Sequence, residues 1–221
     1  MSMTKVLELA REDLGYTENP PGSNMTKYGE AYGMNGVPWC VEAPWFWFNQ
    51  AGERMAFFGG GKTARCSVLL QWYEKQGLTV PVSEVQVGDI VILNFHGTQD
   101  TEHCGLVTGT EHEKRAGVVS ITTIEGNTSP SDGSQSNGGM VCEKTRYPSQ
   151  IVDVCRPQYK PEEPEKIDDI TGRWSEQAIR RVMKRGLMTG YPDGSFQPDK
   201  PVTRAELAVI LDRLNKEDDV K

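Results

Sequence analysis

The sequence predicts an α+β domain followed by a small all-α module. Apolar residues recur at helical spacing up to residue 77, and Val- and Ile-rich segments follow one another from residue 85 to 155. Helical spacing returns after residue 166. Helices first and consecutive strands later imply helices packed on an antiparallel sheet. Between the two parts lies "RPQYKPEEPEK", whose three prolines and run of charge read as an extended, solvated linker. The expected division is a first domain at 1–157, a linker at 158–166, a second module at 167–214 and an acidic tail at 215–221.

The N-terminal segment has Val6, Leu7, Ala10 and Leu14 on one side of a helix, interrupted by Lys5, Glu8, Arg11, Glu12 and Asp13. After the turn-forming "TENPPGSN" come a short helix around 25–32 and a helix from near Cys40 that ends before Gly52. Another covers 67–76, with Val68, Leu69, Trp72 and Tyr73 inward and Gly77 as its stop. The strands are expected in "VQVGDIVILNF", "HCGLVTGT", "GVVSITTIEG", "GMVCEKTRY" and "IVDVC". In the second module, Trp174, Ala178, Ile179, Val182 and Met183 form one stripe. Leu207, Ile210, Leu211 and Leu214 form another. Fewer than sixty residues make a thin core, so self-association of this module is expected.

The net charge of −7 disfavours nucleic acid and anionic membrane as partners. Residues 158–221 hold 12 Lys/Arg against 13 Asp/Glu, which leaves most of the negative excess on the front domain. No apolar run approaches the roughly 18–20 residues that span a bilayer, and the charged N-terminal helix does not read as a signal peptide. Cysteines at 40, 66, 104, 142 and 155 form no C-x-x-C pair, which argues against a zinc site, and their odd number argues against a full disulfide framework.

Two thiols stand where chemistry is expected. Pro44 in "VPWCVEAPWFWF" confines a helix start to about residues 40–43, and the N-terminal dipole there lowers a thiol pKa. Cys66 in "TARCSVLL" is similarly placed. Of three histidines, His103 opens a strand, which can hold its ring on a rigid element. Alternation places His103, Gly105 and Val107 on one face, with Cys104 and Leu106 on the other. The next strand ends at Glu125, where a carboxylate can fix the imidazole tautomer. Cys104, Cys142 and Cys155 read as core.

"GYTENPPGSNMTKYGEAYGMNGVPWC", "VGDIVILNF", "TEHCGLVTG" and "TTIEGNTS" together resemble the cysteine- and histidine-dependent amidohydrolase/peptidase (CHAP) domain, a papain-like fold of phage endolysins and bacterial wall hydrolases. The resemblance implies Cys40 as nucleophile, His103 as base and then acid, Glu125 as the orienting member and Asn127 as a polar neighbour. It favours Cys40 over Cys66. Trp39, beside the thiol, is a candidate for the substrate wall. Where the family pattern has small and aliphatic residues after the cysteine, this chain has Glu42 and Pro44. Some relatives carry an aspartate-rich calcium loop, and its absence here predicts no metal or other cofactor.

In the second module, Thr203 and Glu206 of "TRAE" form a capping box, which leaves Arg204 unexplained at the first helical position. The segment "GRW…GLMTGYPDGSFQPDKPVTRAE" resembles a single S-layer homology motif. This implies binding of an acidic secondary cell-wall polymer by Trp174, Gly190, Tyr191 and Arg204. The combined expectation is an endolysin-like peptidoglycan hydrolase, held in the host cytoplasm until release and then acting on the bacterial wall. Two alternatives are a non-catalytic wall-binding protein with a decayed thiol site and a cytosolic thiol amidase acting on a small peptide conjugate.

Overall fold

The computed structural model describes residues 3–113, 117–130, 133–160 and 169–218. The chain divides into two compact units, Met1–Glu162 and Glu163–Lys221. The first holds helices α1 (Met3–Glu12), α2 (Lys27–Tyr32), α3 (Glu42–Gln50), α4 (Arg54–Phe58) and α5 (Cys66–Gln76). Its strands are β1 (Thr79–Val80), β2 (Ile90–Leu93), β3 (His103–Glu113), β4 (Gly117–Thr128), β5 (Met140–Arg146) and β6 (Ile151–Cys155). They form one antiparallel sheet in the order β1-β6-β2-β3-β4-β5. The α+β expectation therefore stands, with α4 and the two-residue β1 added.

Alternation along β2 divides the core. Ile90 and Ile92 join Leu106, Ile124 and the helices in one apolar cluster, and Val91 and Leu93 join Val107, Ile121 and Val154 in another. Helix α3 is the central helix: Ala43, Pro44, Trp45, Trp47 and Phe48 are all buried. A helix apolar on most sides must sit inside, and here α1 and α2 flank it. Asp13 ties these helices together, accepting from the Trp47 indole at 2.9 Å and the Tyr28 hydroxyl at 2.7 Å. The expected inward face of α1 needs one correction. Val6, Leu7 and Ala10 are buried, but the helix ends at Glu12 and Leu14 is exposed. In α5, Leu69, Leu70 and Tyr73 turn inward, while Val68 is exposed.

The expected boundary at 157 also shifts. Tyr159 stacks on Phe48 with ring centroids 5.4 Å apart, and its hydroxyl donates to the Gly88 carbonyl at 2.7 Å. One aromatic side chain thus draws the start of the expected linker into the first unit. The rest of that linker, at 161–166, and residues 219–221 of the expected tail lie outside the described residues.

The second unit has helices α6 (Glu176–Lys184) and α7 (Arg204–Asp218), and no strand among its described residues. Thr203 and Glu206 form the expected capping box: each backbone N–H bonds the other's side chain, at 2.7 and 3.2 Å. Only part of the expected stripes is covered. Ile179 is buried, whereas Trp174, Met183, Leu207 and Leu211 are exposed. No described helix is long and apolar enough to cross a membrane.

Strand β4 presses closely on the start of α3. A Cβ at Gly126 would lie 2.6 Å from the Ala43 Cβ and 2.8 Å from the Trp39 ring, both buried. Gly126→Ala is therefore expected to destabilise the chain by about 1–3 kcal/mol through overpacking, read as a lower urea midpoint with an unchanged m value.

Candidate active site

Cys40 lies two residues before the first residue of α3, in a turn closed by the Ala43 N–H donating to the Trp39 carbonyl at 3.1 Å. Pro44 follows as the third helical residue, where its missing N–H is tolerated. The thiol thus stands at the mouth of a helix. His103 is the first residue of β3, paired with Leu93 of β2, and Glu125 is near the end of β4. Both are fully buried, and Cys40 is 6% exposed.

The His103 Nε2 lies 3.2 Å from the Glu125 Oε2. It is a contact of charges, because neither ring nitrogen has a well-aligned hydrogen bond. Glu125 is held more firmly from elsewhere. Arg146, on β5, donates through Nε to Oε1 at 2.8 Å and through Nη2 to Oε2 at 2.6 Å. The Thr123 hydroxyl adds a bond to Oε1 at 2.6 Å. The Arg146 guanidinium also lies over the Phe95 ring, 4.7 Å from its centroid, and Phe95 packs against the His103 ring at 6.0 Å. Room for the carboxylate comes from Gly105, where a Cβ would lie 2.9 Å from the Glu125 Cγ.

These contacts set the charges. Burial acts to raise the Glu125 pKa, but Arg146 and His103 override it and bring it to about 2. Burial likewise opposes the imidazolium, yet Cys40 and Glu125 hold the His103 pKa up at about 9. The Cys40 thiol is pushed well below its ordinary range, first by Cys104 and Cys66 and then, against burial, by His103. A thiolate–imidazolium pair steadied by a carboxylate is the chemistry of a thiol nucleophile.

Glu42, which departs from the family pattern, stands beside the thiol as a carboxyl that can be neutral. Its carboxylate is fully buried without a hydrogen-bond partner, and burial followed by Cys40 pushes its pKa to about 7. Near neutrality it can keep its proton, which relieves its repulsion of the neighbouring thiolate.

Cys66 is a neighbour of Cys40 as well as an alternative to it. Their sulfurs are 3.9 Å apart, and the Cys104 thiol donates to the Cys40 carbonyl at 3.2 Å. The three sulfurs lie within 4.8 Å of one another, and no further histidine, cysteine or carboxylate joins them among the described residues. What separates Cys40 from Cys66 is the imidazole, which acts on Cys40. His96 is exposed and paired with Glu102, and His112 is exposed. Cys142 and Cys155 are buried, as expected of core thiols.

One expectation needs correction. Trp39 is fully buried: it stacks on Tyr28 at 5.3 Å, and its indole N–H reaches Glu18 at 3.4 Å. Its ring serves the core and offers no face to a substrate. Asn127, in the left-handed region at φ 60°, is occupied by the neighbouring loop. Its Oδ1 accepts from the Gly139 N–H at 3.1 Å, and its Nδ2 donates to Asn137 at 3.1 Å. These bonds tie Asn127 to the loop that precedes β5. The sequence reading missed Arg146, and the one available signal was a lone arginine closing an otherwise ordinary strand, "MVCEKTR".

In the second unit, Gly190 and Tyr191 line a groove of about 450 Å³ together with Lys200, Glu206 and Arg213. The Lys200 ammonium lies over the Tyr191 ring, 4.4 Å from its centroid. Arg204 is exposed and outside the lining of that groove. Trp174, 97% exposed, borders a separate hollow with Arg173 and Asp199.

Residues 166–208 match the profile of the S-layer homology domain. This part of the chain is similar to that domain. It is similar to outer membrane protein SlpA of Deinococcus radiodurans, 41% identical over 58 residues, which are 26% of this chain and 5% of that protein. It is also similar to a cellulosome-anchoring protein of Acetivibrio thermocellus, 47% identical over 47 residues, which are 20% of this chain and 10% of that protein. Among solved structures, the wild-type endolysin LysIME-EF1 aligns over 72% of this chain and 65% of its own, with a TM-score of 0.44 and 15% identity. That likeness is too slight to bear on the chemistry.

Arg146→Met would leave Glu125 buried with His103 as its remaining charged partner. We expect a loss of about 3 kcal/mol at pH 7, as for breaking a buried pair, measured by denaturant unfolding. In the parent chain the Glu125 contribution is full above its ordinary value of 4.5 and lost as pH falls through about 2. The His103 contribution is full below 6.5 and lost as pH rises through about 9. The stability contributed by this network should therefore be flat between those ordinary values and decline on both sides, and the variant should show less of the acid-side decline.

Proposed function

We propose that the chain is a peptidoglycan hydrolase that cuts an amide bond with a cysteine nucleophile and is held at the cell envelope by its S-layer homology domain. The observation that carries the chemistry is the buried His103–Glu125 contact, 3.2 Å between β3 and β4, with the Cys40 thiol in the turn before α3 lowered in part by His103. In this reading the first unit is a papain-like domain of the CHAP type. The Cys40 sulfur attacks the amide carbonyl, and the S–C bond forms as the carbonyl π electrons move to oxygen. On collapse, the His103 imidazolium gives its proton to the departing amine. Neutral His103 then takes a proton from water, which releases the acyl group and restores the thiolate. Glu125, fixed by Arg146, balances the imidazolium in both half-reactions.

For the second unit, the wall-anchoring role rests on the match to the S-layer homology domain and on relatives that are an outer membrane protein and a cellulosome-anchoring protein. An acidic secondary cell-wall polymer would meet Gly190, Tyr191 and the Lys200 and Arg213 cations in the groove, with Arg204 and Trp174 as exposed contacts outside it. Exposed Leu207 and Leu211 favour association of copies through this unit.

One observation favours a second reading. Cys40 is 6% exposed and His103 is fully enclosed, so a substrate reaches the sulfur only if neighbouring chain gives way. A wall-binding protein without turnover needs no such movement. Loss of turbidity in purified Gram-positive walls decides between them. The hydrolase reading expects clearing by the full chain and none by Cys40→Ala, with both proteins sedimenting with the walls. Equal inactivity with retained sedimentation would establish the binding protein instead.

A further inference from the structure

The hydrolytic reading uses one of three sulfurs that the fold gathers in one place. Cys40 precedes α3, Cys66 opens α5 and Cys104 is the second residue of β3, so three separate elements contribute them. Such convergence is more than core filling requires, since a core thiol packs as well against a methyl group. The three sulfurs are not equivalent. The Cys104 thiol is directed at the Cys40 carbonyl oxygen, at 3.2 Å. Cys40 and Cys66 instead face each other sulfur to sulfur at 3.9 Å, across 26 residues of chain. A disulfide bond is about 2.05 Å long, so the sulfurs have somewhat less than about 2 Å to close. Each of the two residues keeps 6% of its surface exposed, whereas Cys104 keeps 1%.

We propose that Cys40 and Cys66 form a reversible disulfide when the chain meets a hydroperoxide, with Cys40 as the attacking thiol and Cys66 as the resolving one. The Cys40 thiolate attacks the peroxide, its S–O bond forms as the O–O bond breaks, and the departing oxygen takes a proton from the His103 imidazolium. This leaves a sulfenic acid on Cys40 and water or an alcohol. Cys66 then gives up its proton as its sulfur attacks the Cys40 sulfur. The S–S bond forms, the S–O bond breaks and the hydroxyl leaves as water. Two thiols lose two hydrogens in all, and one peroxide bond is reduced. The lowered thiol pKa of Cys40 matches the role of first attacker. Cys66, already in contact, intercepts the sulfenic acid before a second peroxide can carry it to the irreversible sulfinic state. The added consequence, that oxidation suspends hydrolysis and a dithiol restores it, rests on the reading of Cys40 as the nucleophile.

The test is peptide mapping by mass spectrometry of the full chain treated with hydrogen peroxide and then blocked without reductant. The expected result is a loss of two hydrogens per chain, with the Cys40 peptide linked to the Cys66 peptide, and reversal by dithiothreitol. Cys104→Ser should still form this link. Cys66→Ser should instead gain two oxygens at Cys40, and dithiothreitol should not remove them. Oxygen gain at Cys40 in the parent chain with Cys66 left free would overturn the proposal, as would a dominant link to Cys104, Cys142 or Cys155. None of these readouts depends on hydrolysis, so a chain that fails to clear walls still tests the disulfide.

Discussion

The pairing of Arg146 with Glu125 is the constraint on which the first unit depends. A carboxyl with no solvent contact would ordinarily keep its proton. Two guanidinium hydrogen bonds and the Thr123 hydroxyl instead hold Glu125 as an anion. The anion makes a charged imidazole tolerable in an equally dry setting, and the imidazolium in turn favours a thiolate at Cys40. Each charge favours the next, and at Cys40 the neighbouring thiols of Cys104 and Cys66 add the larger share. The backbone adapts to this chain of charges at Gly105, where any side chain would strike Glu125.

The second unit is built on different terms. Its core reduces to a few residues such as Ile170, Ile179 and Leu187, and polar links replace much of the missing apolar burial. Asp169 accepts from the Phe196 and Gln197 N–H groups at 2.9 and 2.6 Å, and Arg213 reaches the Gly186 and Leu187 carbonyls at 3.2 Å. These bonds pin the loop between α6 and α7 and shape the groove where Tyr191 meets Lys200. Such a unit leaves more of its apolar surface in solvent than a larger domain does.

Much of this was legible in the sequence because it is local. Val- and Ile-rich runs such as "VILNF" and "HCGLV" placed the strands, Pro44 bounded the start of α3, and "TRAE" announced the cap of α7. Residues that act across the sheet were harder to read. Arg146 lies on a different strand from Glu125, and its cross-strand partner is Ile121, so sequence spacing does not reveal the contact. Trp39 was misread because adjacency to a thiol in the chain says nothing about which way a ring turns. In the fold it turns onto Tyr28. Cys66 was weighed only as a rival to Cys40, since two helix starts 26 residues apart give no hint that their sulfurs touch.

The position of β2 between the two apolar clusters has a consequence for how the molecule opens. Its four residues are buried on both faces, with β6 on one side and β3 on the other. Amide protons there should exchange with solvent only when the whole unit unfolds, whereas the two-residue β1 at the sheet margin can fray alone. His103 is paired directly with Leu93 of that strand. The imidazole is thus anchored in the slowest-opening part of the sheet, and heat should remove the site and the fold in one transition.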